Sequence, residues 1–223
     1  YLFVALSVCT LFVLPSFDCK NKYQFVLLSQ QIRDFDYVIV LHSVVGDGVA
    51  DAQQLIPILQ NRKCQLLSFV GNEVNIPGCR IEDKRRWLEA VEPDFIATQL
   101  LKEAGVFLFG DLAKSDVLAI PHALNPKAFS PPPNGNRRSI EIGVRTARYL
   151  PHLGDNDRNR INDYFAANGP ELDLNVDISS ERLDRDGWAK FLQQCLGTVS
   201  TEAGSWCLGT NEDTGYAIIR STR

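Results

Sequence analysis

From Tyr23 onward, short apolar runs alternate with amphipathic stretches, and this alternation constrains the fold more than any other feature of the chain. Phe35 to Leu41 is rich in β-branched and aromatic residues and ends in His42-Ser43 and a Gly46-Asp47-Gly48 loop. Such a continuous run suits a strand buried on both faces of a parallel sheet. Val49, Ala52, Ile56 and Leu59 then recur at helical spacing. Gln65 to Val70 reads as the next strand, Ile81 to Glu92 as a helix stopped by Pro93, and Asp94 to Thr98 as a short strand. A short helix over Gln99 to Ala104 and a strand over Asp116 to Ile120 continue the pattern. Strands separated by helices imply βαβ units, and so a parallel sheet with helices on both faces.

The pattern breaks at Pro121 to Pro133, which holds five prolines, followed by Asn134-Gly135-Asn136. Proline fixes φ and removes a donor, so an extended linker is expected. The alternation then restarts, with a strand over Ile140 to Val144 and a helix over Asp157 to Ala167. Asn168-Gly169-Pro170 closes that helix, its glycine taking the left-handed cap. A strand over Leu172 to Ile178, a helix over Arg185 to Gln194 and a strand over Cys195 to Ser200 follow. The expected boundaries are 1–130, a linker at 131–137, and 138–223.

Composition narrows the class. The 223 residues are 45% hydrophobic and 22% charged, as in ordinary globular proteins, and 23 Lys+Arg against 27 Asp+Glu give a formal charge of -4. That balance argues against a nonspecific nucleic-acid binder. The six cysteines form no Cys-x-x-Cys pair and read as scattered reduced thiols of a cytoplasmic protein. Tyr1 to Phe17 carries no charge and is mostly apolar. It has three readings: a clipped anchor, which would hold the protein at the inner face of a membrane, a signal remnant, or a buried strand. The lack of methionine and the abrupt ends are expected of a fragment.

Ligands of open α/β sheets bind outside the carboxyl ends of the strands. The polar residues there are His42, Ser43, Asn72, Glu73, Thr98, Gln99, His122 and Asn125 in the first half. In the second they are Arg145, Arg148 and Thr201-Glu202-Ala203-Gly204-Ser205. Arg137 to Arg160 contains six arginines and three acidic residues. Guanidinium forks suit phosphate oxygens, and Arg145 and Arg148 directly follow a strand, which would aim them into the crevice. A solvated basic face is the alternative. Thr201 to Ser205 fits either a phosphate-binding helix start with Glu202 near sugar hydroxyls, or a capping turn with Ser205 as N-cap. Walker, Gly-x-Gly-x-x-Gly, Gly-x-Ser-x-Gly and His-Glu-x-x-His motifs are absent.

Ile120-Pro121-His122-Ala123-Leu124-Asn125-Pro126, with Phe129 and Pro131, resembles the linker of GT-B glycosyltransferases. Ile142-Gly143-Val144-Arg145 resembles the first strand of their nucleotide-sugar domain, and Thr201 to Ser205 the first half of the two-glutamate motif of family-4-like members. The resemblance covers most of the chain from about Phe35 to Leu208. It implies an α/β fold of two Rossmann-like domains, the second incomplete here, and a metal-independent, hexosyltransferase-like enzyme without a cofactor. A nucleotide sugar would be the donor, and a glycan or small molecule the acceptor. Arg145 and Arg148, with Gly204 and Ser205, would hold the donor diphosphate, and Glu202 would contact its sugar. His42 would contact the reacting sugars, with Glu73 and Asn125 in the cleft, and His122 structural. The family's second, ribose-holding glutamate is replaced by Thr210, with Glu212 or Asp213 as substitutes. Two other readings compete: a non-catalytic nucleotide- or glycan-binding module, which Thr210 favours, and another α/β enzyme such as a nucleotide-sugar epimerase. The missing glycine fingerprint argues against the latter.

Overall fold

The computed structural model describes residues 32–46, 48–73, 80–112, 114–121, 123, 125–132, 138–149, 156–201, 208–211, 217 and 220–221. The chain divides into two compact units. One is Leu2–His122 with Cys207–Ala217, and the other is Ala123–Trp206 with Ile218–Arg223. The division falls inside the proline-rich stretch Pro121 to Pro133, ahead of the expected boundary at 131–137, and Gln193 Nε2 donates to the Ser130 carbonyl at 3.0 Å within the second unit. Residues on the amino side of 131 are already bonded to the second unit. Residues 1–17 lie outside the described residues. No helix among the described residues is long and apolar enough to cross a membrane.

The first unit carries β1 (Tyr37–Val40), α1 (Ala50–Gln53), α2 (Ile56–Gln60), β2 (Gln65–Phe69), α3 (Ile81–Val91), β3 (Phe95–Thr98), α4 (Lys102–Phe109) and β4 (Asp116–Ala119). The strands pair in parallel in the order β1-β2-β3-β4. All three crossovers therefore step the same way, and the right-handed rule puts their helices on one face. Among the described residues, the first sheet therefore carries its helices on one face, where both faces were expected. In register, Val40, Leu66, Ser68, Ile96, Thr98 and Val117 lie on the buried face. Val40, Leu66, Ile96 and Val117 join Ala52, Ile58, Leu59, Trp87, Leu88, Val91, Leu108 and Phe109 in one core. Burying each large apolar side chain contributes ~1.5–3 kcal/mol. The other face starts with Tyr37 and Ile39, 63% and 47% exposed.

Two local readings need correction here. The helical run after Val49 is two short helices, because Pro57 in the first turn of α2 has no N–H to continue the ladder from α1. The helix expected to stop at Ala104 instead runs Lys102–Phe109. Gly105 sits inside it because α4 packs so closely on β3 that a Cβ would lie 2.5 Å from the Thr98 methyl carbon. At the amino edge, Arg62 closes the ends of α2 and α3, donating to the carbonyls of Leu59, Val91 and Glu92 at 2.7, 2.7 and 2.5 Å. A cation there complements the negative end of each helix dipole.

The second unit carries β5 (Ile140–Arg145), α5 (Asp157–Asn168), β6 (Val176–Ser179), α6 (Arg185–Gln194) and β7 (Cys195–Gly197). Its sheet is also parallel, with the order β6-β5-β7. Asp184 caps α6, its Oδ1 accepting from the Gly187 N–H at 2.7 Å. α5 does not end in a left-handed glycine. Gly169 stays right-handed, the chain tightens into a 3-10 turn over Pro170–Leu172, and Asp173 takes the left-handed conformation (φ 55°). A side chain at residue 169 would collide with Val176, so glycine serves close packing there.

At Gly143, in the middle of β5, a Cβ would fall on the Cys195 sulfur and 2.7 Å from the Phe191 ring. Gly143→Ala is therefore expected to destabilise the chain by ~1–3 kcal/mol through overpacking. Denaturant unfolding should show a lower midpoint with an unchanged m-value. An unchanged midpoint would contradict this packing.

Candidate functional site

In a parallel sheet every strand delivers its carboxyl end to the same edge, so the polar residues read from the sequence gather there by topology. At the edge of the first sheet, His42 is exposed in the turn after β1, where the Val44 N–H donates to the Leu41 carbonyl at 2.9 Å. The Gly71 N–H donates to Val45 at 3.1 Å, drawing the end of β2 against this turn. A Cβ at residue 71 would lie 3.2 Å from the His42 carbonyl oxygen.

Glu73 is buried rather than presented to a cleft. Its Oε1 accepts from Thr98 Oγ1 at 2.7 Å and from the Gln99 N–H at 3.0 Å. A carboxyl doubly bonded to the neighbouring strand end braces two loops. This corrects the expectation of a cleft residue. Lys84, which is fully buried, was not among the residues expected at this edge. Its Nζ donates to the carbonyls of Gly71 at 2.8 Å and Asn72 at 2.5 Å. The signal was present: Lys84 stands in the stripe Ile81, Lys84, Leu88, Val91, otherwise apolar and all buried.

Asn125 belongs to the second unit, and its Oδ1 accepts from the Lys127 N–H at 3.0 Å. Its side chain closes its own turn. His122, Glu202, Gly204, Ser205 and Glu212 lie outside the described residues.

In the second sheet, β5 lies between β6 and β7, so strand order reverses at its carboxyl end. Open sheets use that reversal as a binding crevice. Arg145 closes β5, but it is not aimed out past the strand end. Its fork donates to both Asp177 oxygens at 2.8 Å, and its carbon lies 4.0 Å over the Phe191 ring centroid. Asp177 pairs in register with Gly143, two residues back from Arg145. The guanidinium thus lies back over the sheet, on the Phe191 ring that itself packs at Gly143. Arg145 is 11% exposed and Asp177 39%. The hydrogen bonds from Arg145 hold the Asp177 carboxyl below its ordinary range, against an opposing desolvation effect. Desolvation by burial pushes the Cys195 thiol up.

Arg148 also has a carboxylate partner, donating to both Asp163 oxygens at 2.7 and 2.8 Å, but both groups are exposed. Such a pair contributes little in water. The intervening loop is fixed to α5. Asn159 accepts from the Tyr149 N–H at 3.0 Å and donates to its carbonyl at 3.1 Å. Arg158 stacks 3.8 Å from the Tyr149 ring centroid and donates to Thr146 Oγ1 at 3.3 Å. Asp177, Asp163 and Asn159 did not stand out in sequence, and Arg158 did so only as one of the six arginines of 137–160; the local hint for Asp177 was a carboxylate inside the apolar run Leu172 to Ile178. Among the described residues, no group of three or more His, Cys, Asp or Glu side chains is placed to hold a metal ion.

Comparison with protein-family models, curated proteins and solved structures gives no match to this chain.

The Arg145–Asp177 pair carries a signed pH dependence. The folded-state value of Asp177 lies below its unfolded value of ~3.9, so the stabilisation is full above about pH 4 and is lost as pH falls through the folded value. Asp177→Asn should cost about 1 kcal/mol at pH 7, a figure held down by the exposure of Asp177. That deficit should shrink as acid titrates the wild-type carboxyl. A stability gap that stays constant from neutral to strongly acidic pH would contradict the assignment.

Proposed function

We propose that the chain is part of a nucleotide-sugar-dependent glycosyltransferase, with the donor at the carboxyl edge of the second sheet and the acceptor at that of the first. The observation that carries the reading is the reversal of strand order at β5. It sets the ends of β5 and β7 side by side, and β7 leads through 198–201 into Glu202. Arg148 and Thr146 follow β5 directly. A diphosphate there meets a fixed loop rich in guanidinium groups, which stabilises charge developing on a leaving phosphate. Because the exposed Arg148–Asp163 pair is cheap to break, Arg148 is the fork released most readily to the ligand. Arg145 contributes mainly by holding the end of β5. His42, exposed at the first edge, faces the acceptor. The resident chemistry needs no cofactor; the nucleotide sugar is substrate.

A second reading is a nucleotide-binding module without transfer activity. The commitment of Arg145 to Asp177 favours it, since a fork folded back over the sheet is not positioned for a leaving group.

The test is a screen of UDP- and GDP-sugars with the full-length gene product, scoring release of the nucleoside diphosphate. Arg148→Ala and Glu202→Gln should each lower turnover ~10²–10³-fold if they contact the developing charge. Near-normal turnover in both variants would overturn the transferase mechanism. UDP or GDP binding without release from any donor would establish the second reading.

A further inference from the structure

The edge of the first sheet contains two buried polar side chains that no donor- or acceptor-binding role uses. Lys84 and Glu73 anchor three consecutive residues. Lys84 Nζ grips the carbonyls of Gly71 and Asn72 at 2.8 and 2.5 Å. Glu73 binds Thr98 Oγ1 and the Gln99 N–H, and Thr98 Oγ1 accepts in turn from the Leu100 N–H at 3.1 Å. Between the anchors, Asn72 is exposed and left-handed, with φ 49°.

These features are individually unfavourable. Burying a lysine amine forfeits its hydration, and positive φ is a conformation that, besides glycine, mainly Asn and Asp adopt. A methionine would fill the space under α3 without that loss, and glycine at 72 would make the turn unaided. The chain instead places a side chain bearing both a donor and an acceptor at the tip and spends a buried amine on holding it.

We propose that Lys84 is a positioning residue. By gripping the loop it holds Asn72 in the left-handed conformation, and through Glu73 it locks the ends of β2 and β3 into one rigid platform on which Asn72 meets the ligand. The proposal stands whichever ligand the edge takes, so it fails or holds separately from the transferase reading.

Residue-resolved hydrogen exchange on the full chain tests it. In Lys84→Met the Gln99 and Leu100 amides, which Lys84 does not touch, should exchange ~10-fold faster, the effect of losing about one buried hydrogen bond's worth of stability. The β6 amides of the other unit should be unchanged. Adding Asn72→Gly should restore much of the slow exchange, because glycine takes positive φ at no steric cost and so depends less on the grip. If Lys84 only fills the core, Gln99 and Leu100 will be unaffected by Lys84→Met, or Asn72→Gly will restore nothing. Either result overturns the proposal. Should Lys84→Met alone fail to fold, recovery of a folded chain in the double variant supports the proposal, and failure of both contradicts it.

Discussion

Parallel strand pairing is the constraint on which the rest of this molecule depends. A parallel neighbour cannot be reached by a tight turn, so each strand must be followed by a crossover of a dozen or more residues. The crossovers bring helices, the helices bury one face, and every strand delivers its polar carboxyl end to one edge. Both units obey this, yet they wind differently. The monotonic order β1-β2-β3-β4 gathers helices on one face, whereas β6-β5-β7 reverses direction at its first strand. Only the second arrangement makes a switch-point crevice from described strands. This is why the donor reading rests on the second sheet and the acceptor reading on loops braced after β1, β2 and β3.

Each edge is held by charged or polar side chains bonded to groups distant in sequence. Glu73 reaches Thr98 and Gln99, Lys84 reaches back to residues 71 and 72, and Arg145 crosses to Asp177. Buried polar groups must find partners, and satisfied ones fix geometry more sharply than apolar contacts do. The two sheets differ in what the fixing achieves. At the first, buried anchors leave exposed side chains, His42 and Asn72, at the tips. At the second, the strand-end arginine itself is the anchor, and the exposed arginine is one turn of loop further on.

Much of the fold was legible in the sequence, because apolar periodicity and proline positions are local signals. α6 matches its expected bounds, and α3 and β2 match to one residue. The limits of local reading are also visible. Gly169 was read as a helix cap, and the helix before Gly105 was ended at Ala104, but both glycines serve close packing, against Val176 and Thr98, which the local sequence does not reveal. Arg145 and Glu73 were located correctly at strand ends, yet their orientation was not. Register decides that: Asp177 stands opposite Gly143, and no pattern within β5 or β6 alone reveals the pairing. Lys84 was the one buried charge with a local signature, a lysine standing in the apolar stripe of α3.

The central claim is that the carboxyl edge of the second sheet receives a nucleoside diphosphate. The most direct measurement is backbone amide chemical-shift mapping of the full chain titrated with UDP and then GDP. The account predicts saturable shifts concentrated at 145–149 and 198–201, the segments that follow β5 and β7, with α5 amides near Arg158 responding through the bound loop. Saturable shifts confined to other segments, or no shifts with either nucleotide at millimolar concentration, would contradict it.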